Sequence, residues 1–128
     1  MTNQKHSFKI LLVDDEPNIL LALDFLMSQQ GYQVARASSG EEALQLLPDY
    51  KPDLVILDVM MPGMDGFEVA MKIRTSEESN DLSIIFLTAK GTAEDKLKGY
   101  GSGGEVYVTK PFDNDDLVRT VNEIFEHK

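Results

Sequence analysis

The chain has 128 residues, enough for one domain with its own core, and its 42% hydrophobic and 27% charged content is that of an ordinary globular protein. There is no cysteine, which removes disulfides and thiolate chemistry. A net charge of −10 argues against direct nucleic-acid binding, and the apolar runs are too short to cross a bilayer or serve as a secretory signal.

The first element is FKILLV at 8–13, an aliphatic run that reads as a buried strand. A helical pattern follows at 17–30, with Ile19, Leu20, Leu23, Leu26 and Met27 as its apolar residues and Gly31 as its stop. YQVARA at 32–37 is the second strand, and a helix at 39–47 opens on Ser39 and two glutamates and is expected to close at Pro48. DLVILD at 53–58 is the third strand, followed by a helix at 66–74 carrying Phe67, Val69, Ala70 and Ile73. TSEESND at 75–81 reads as a loop and SIIFLT at 83–88 as the fourth strand. A weaker, glycine-flanked helix is expected at 92–100, then EVYVTK at 105–110 as the fifth strand. The last helix, 113–126, has Asp113 or Asn114 as its cap and Leu117, Val118, Val121, Ile124 and Phe125 as its apolar residues.

Four of the five strands are apolar on both faces, which fits a parallel sheet covered on both sides. Alternating strands and helices imply right-handed βαβ units, so the chain is expected to be one (βα)5 three-layer α/β domain over 1–128.

Ligands of such a sheet bind beyond the carboxyl ends of its strands. The first strand ends in Asp14 and Asp15, the third in Asp58, the fourth in Thr88 and the fifth in Thr109 and Lys110. Three carboxylates, a hydroxyl and an ammonium therefore converge from segments far apart in sequence. Carboxylates so crowded repel one another, and a hard divalent cation with oxygen ligands relieves them; Mg2+ suits such a site when a phosphate completes it. One carboxylate can then attack phosphorus while Lys110 and Thr88 meet the phosphoryl oxygens.

Each residue also has a plainer reading. Glu16 before Pro17 can be a helix cap, and Asp58 before VMMPGMDG can be a strand-to-turn junction. A lone lysine is usually a solvated charge. The coincidence at four strand ends is what favours a functional site.

The blocks LLVDDEPNIL, DLVILDVMMPGMDGFE, IIFLTAK and YVTKPF resemble the signature segments of response-regulator receiver domains, over nearly the whole chain and in the right order. The spacing is similar too, with Thr88 thirty and Lys110 fifty-two residues after Asp58. The resemblance implies a flavodoxin-like sheet of order 2-1-3-4-5. It makes Asp58 the phosphoacceptor, and Asp14, Asp15, Asp58 and the main-chain carbonyl of Met60 the Mg2+ site, with Asp14 acting mainly through water. Thr88 and Lys110 would hold the phosphoryl oxygens, the Lys110–Pro111 bond would be cis, and Tyr107 would be an aromatic switch coupled to Thr88. Met60 and Lys90 would influence the lifetime of the phosphoryl group. A sensor histidine kinase or a histidine phosphotransfer protein would be the donor.

The implied output is altered binding of a downstream protein effector on the face of the 92–100 helix, the fifth strand and the last helix. The expected protein is a signalling switch rather than an enzyme, cytoplasmic, without membrane or direct nucleic-acid contact, and monomeric or weakly homodimeric. One departure from the family pattern is the glycine-rich GYGSGG at 99–104, followed by Glu105 and Val106 where an acidic pair is common.

GYGSGG also fits the dinucleotide fingerprint G-x-G-x-x-G, but it precedes a strand rather than following one. His6 and His127 stand near the termini without partners at metal-site spacing. An aspartyl phosphatase would need a general acid two residues after its nucleophile, where this chain has Met60. A flavin domain would need a phosphate-cradling loop after the first strand, where this chain has two carboxylates.

Overall fold

The computed structural model describes residues 8–76, 82–89 and 106–127. Five strands, β1 (Lys9–Val13), β2 (Gln33–Ala37), β3 (Leu54–Asp58), β4 (Ser83–Thr88) and β5 (Val106–Thr109), form one parallel sheet of order β2-β1-β3-β4-β5. The helices described are α1 (Pro17–Gln29), α2 (Gly40–Tyr50), α3 (Gly66–Arg74) and, last in the chain, α4 (Asn114–Glu126). The helix expected at 92–100, Lys90 and the glycine-rich 99–104 lie outside the described residues.

The alternation of side chains along each strand builds two cores. Leu11, Val13, Val55, Leu57, Ile84 and Phe86 face α2 and α3, where Ala43, Leu47, Val69, Ala70 and Ile73 meet them. Ile10, Leu12, Leu54, Ile56, Ile85 and Leu87 face α1 and α4, against Leu20, Leu23, Met27, Leu117, Val121 and Phe125. Leu54 through Leu57 of β3 are wholly buried, and each such side chain stabilises by about 1.5–3 kcal/mol. The two edge strands depart from the expected burial. In β2, Gln33 and Arg36 are exposed, and β5 is half-buried and ends on an exposed Thr109, since each pairs with one neighbour only.

The helix starts are set by short polar side chains. Ser39 Oγ accepts from the Glu42 N–H at 3.1 Å while the Glu42 carboxylate accepts from Ser38 N–H at 2.7 Å. Asp65 and Glu68 form a reciprocal capping box, and Asp113 caps α4 through the Asp116 N–H. Pro48 does not close α2 as the sequence predicts. It lies inside the helix, which runs to Tyr50. A proline forfeits its own N–H and crowds the carbonyl four residues back, yet the final turn still closes because Lys51, in the left-handed region at φ 54°, donates to the Leu47 carbonyl at 3.0 Å.

One glycine fixes the distance between the sheet edge and α3. The Gly66 N–H donates to the Val59 carbonyl at 2.9 Å, and a Cβ on Gly66 would stand 2.4 Å from the Asp58 carbonyl oxygen. Helix propensity alone would make Gly66→Ala slightly stabilising. The contact with backbone reverses the sign, so Gly66→Ala should lose about 1–3 kcal/mol in urea unfolding. An unchanged or raised midpoint would show that the helix does not need this close approach.

Candidate functional site

The carboxyl ends of β1 and β3 set the first two carboxylates side by side. Val13 and Leu57 are register partners, so Asp14 and Asp58 emerge together, with exposures of 0% and 4%. Asp14 is held by its backbone N–H, which donates to the Ala37 carbonyl of β2 at 3.2 Å. The β3 end is held by the Val59 N–H, which donates to the Leu87 carbonyl of β4 at 2.9 Å. Lys110 is tied down by its own N–H, which donates to the Thr88 carbonyl at 2.7 Å. The Lys110–Pro111 bond is cis.

Lys110 Nζ lies 3.0 Å from Asp14 Oδ2 and 3.3 Å from Asp58 Oδ1. One oxygen each from Asp14, Asp15 and Asp58 lies within 4.8 Å of the others, with Asp15 exposed at the surface. The second oxygen of Asp14 accepts the Glu16 N–H at 2.9 Å, and the Met60 N–H approaches Asp58 Oδ1 at 3.4 Å. The Met60 side chain is 71% exposed beside the pocket.

Burial raises the Asp58 carboxyl from 3.8 to about 6; the charge of Asp14 pushes the same way, and Lys110 and the Met60 N–H oppose it. Burial alone would lower the Lys110 ammonium, but its bond to Asp14 and the charges of Asp58 and Asp14 prevail and raise it. The lysine is therefore firmly protonated, while burial, more than the charge of Asp14, lifts the Asp58 carboxyl.

Thr88 is 2% exposed at the end of β4, and the exposed Thr109 is its register partner on β5. Tyr107 is half-buried on the α2/α3 face of the sheet, its ring 5.3 Å from that of Phe86 at 38°. Phe86 and Thr88 are alternate residues of β4, so Tyr107 and Thr88 share that face. Asp14, Asp58 and Lys110 continue the opposite alternation, that of Leu12, Ile56 and Val108, which faces α1 and α4.

Glu16 was legible only as a cap. It occupies the N-cap position of α1, yet its side chain makes no capping hydrogen bond. Its carboxylate reaches Lys110 instead, with Oε1 4.0 Å from Nζ. The sequence signal is chemical: caps are normally Ser, Thr, Asp or Asn, and glutamate is one methylene too long.

The three clustered carboxylates could hold a divalent cation, and one ammonium does not balance them. A groove of about 470 Å³ elsewhere, lined by Leu44, Pro48, Lys51, Lys72 and Leu82 among others, does not include these residues. Among the described residues, no helix is long and apolar enough to cross a membrane.

The sequence matches the response regulator receiver domain over residues 10–122. The transcriptional regulatory protein AfsQ1 of Streptomyces coelicolor is 46% identical over 102 residues, 80% of this chain and 44% of that protein. Protein PilH of Pseudomonas aeruginosa is 34% identical over 116 residues, 91% of this chain and 96% of PilH. The solved structure of the chemotaxis protein CheY4 of Vibrio cholerae superposes with a TM-score of 0.87 at 32% identity, over 91% of this chain and 97% of that one. The chain spans about half the length of many of the curated relatives it matches. The family match runs from the first strand into the last helix and takes in every residue of the pocket: the chain belongs to the receiver domains of two-component response regulators.

Proposed function

We propose that this receiver is a phosphoacceptor switch in which Asp58 takes a phosphoryl group from a phosphohistidine on a sensor histidine kinase or a histidine phosphotransfer protein. The observation that carries the reading is the buried Asp58 carboxylate, raised to about 6 between Asp14 and Lys110. It is still ionised at neutral pH, the form that attacks phosphorus.

An oxygen of Asp58 forms the bond to phosphorus as the phosphorus–nitrogen bond of the donor breaks, and the imidazole leaves with the electron pair. Lys110, 3.3 Å from Asp58 Oδ1, follows the negative charge onto a phosphoryl oxygen, and Thr88 offers its hydroxyl to another. Mg2+, held by Asp14, Asp15, Asp58 and the main-chain carbonyl of Met60, would neutralise the carboxylates and stabilise charge on the transferring oxygens. The chain catalyses its own modification and is a switch rather than an enzyme with a separate substrate.

The new phosphoryl group brings close to two negative charges. Movement of Thr88 towards it opens space behind β4 on the face that carries Tyr107, and the ring turns into that space. The altered surface beside β5 and α4 changes the binding of a downstream protein effector. The setting is cytoplasmic, and the receiver is a monomer or a weak homodimer.

Intact mass after incubation with acetyl phosphate and Mg2+ should rise by one phosphoryl group, and Asp58→Asn should abolish the gain. A persistent adduct in the variant would place the nucleophile elsewhere. With the cations chelated, Asp58→Asn should also stabilise the fold by up to about 3 kcal/mol at pH 7–8. The raised carboxyl binds its proton more tightly folded than unfolded, so its penalty is full above about 6 and gone below 3.8. The advantage of the variant should shrink as pH falls through that window, as urea titrations at stepped pH would show. For the switch, beryllofluoride should shift the amide resonances of Thr88 and Tyr107; shifts confined to the ends of β1 and β3 would refute the coupling.

A further inference from the structure

The groups around Lys110 differ sharply in depth. Asp14 is fully buried, the Asp58 side chain is 5% exposed and the Lys110 side chain 18% exposed, whereas the Glu16 side chain is 59% exposed. Glu16 is thus the outermost carboxylate on the ammonium that any incoming phosphoryl group has to meet. It stands apart from the Asp14, Asp15 and Asp58 cluster, so a cation held by those three leaves its charge in place. Its main chain serves α1: its N–H binds Asp14 and its carbonyl accepts from Leu20 N–H at 3.2 Å, while the side chain takes no part in the cap.

We infer that Glu16 is a specificity-determining residue at the mouth of the pocket, a negative charge that discriminates among phosphoryl donors by their charge. The inference rests on phosphorylation at Asp58. Glu16 Oε1 lies 4.0 Å from the Lys110 ammonium, so a phosphoryl oxygen that takes a hydrogen bond from that ammonium comes to within about 7 Å of the Glu16 carboxylate. At that distance in water one unit charge opposes a dianion by roughly sevenfold in local concentration at vanishing salt and roughly twofold at physiological ionic strength. A monoanion is opposed by about the square root of these factors. A donor carried on a protein escapes the penalty when that protein presents positive charge to Glu16.

The test compares two small donors of different charge on the same chain at saturating Mg2+, with single-turnover rates read by intact mass. Acetyl phosphate is a dianion at neutral pH and phosphoramidate a monoanion. Glu16→Gln should raise the apparent second-order rate with acetyl phosphate by about three- to sevenfold at low ionic strength and about twofold at 0.15 M salt. The rate with phosphoramidate should rise by about the square root of that, so the ratio of the two donors shifts. Glu16→Asp, which keeps the charge, should retain the wild-type ratio. Equal changes with both donors would mean that Glu16 acts on the cation or on Lys110 itself, and would overturn the inference while leaving the phosphoacceptor reading intact. A ratio that moves equally in Glu16→Asp and Glu16→Gln would also overturn it. Failure of the wild-type chain to take a phosphoryl group from either donor would bring down both readings.

Discussion

One ammonium shared between two buried carboxylates governs this structure. Lys110 reaches Asp14 at 3.0 Å and Asp58 at 3.3 Å, and neither carboxylate has meaningful contact with solvent. Burying such charges is costly unless they are paired, and here one positive charge serves two negative ones with a third close by. No local sequence preference would assemble that cluster. It persists because three backbone hydrogen bonds between neighbouring strands pin Asp14, the end of β3 and Lys110 where the sheet stops. The apolar burial of β1, β3 and β4 supplies the stability against which this unfavourable edge is held.

The strict alternation of side chains then puts Asp58 and Thr88 on opposite faces of the sheet. Asp58 follows Leu54 and Ile56 on the face covered by α1 and α4, while Thr88 follows Ile84 and Phe86 on the face covered by α2 and α3. Tyr107 shares that second face through its contact with Phe86. In the proposed switch, a change in charge at Asp58 would fall on one side of the sheet, and a displacement of Thr88 would repack the other. Gly66 adds a third constraint, because the start of α3 lies against the backbone of Asp58 itself. The backbone of Asp58 has little freedom to retreat.

Nearly all of this architecture is legible in the sequence, for identifiable reasons. Strands such as LVILD announce themselves because both faces are buried, and the helix starts at Ser39, Asp65 and Asp113 carry the short polar side chains that caps require. The edge strands are less clear, since β2 mixes exposed Gln33 and Arg36 with buried Ala37. Pro48 misleads because local rules weigh its missing N–H more heavily than the closing bond from Lys51, which is set by tertiary packing of Ala43 and Leu47. At the site, residue types at strand ends suffice to bring Asp14, Asp58 and Lys110 together. They do not reveal the depth of each group, and depth is what separates Glu16 from the rest.

The charge balance of the whole chain bears on how a phosphoryl group can arrive. As the proposed phosphoacceptor, a molecule of net charge −10 would have to accept another anion where, among the described residues, three carboxylates crowd one ammonium. Long-range electrostatics therefore work against small phosphate donors, and screening by salt removes only part of that opposition. Under that reading neutralisation would come from outside the chain, through a cation seated among Asp14, Asp15 and Asp58 and through positive charge on the surface of a donor protein. The first would lower the barrier at phosphorus itself, and the second would select which donor delivers it. Under the phosphoacceptor reading, an acidic receiver whose described pocket holds one half-buried lysine would be a poor target for stray phosphates and a good one for a partner built to match it.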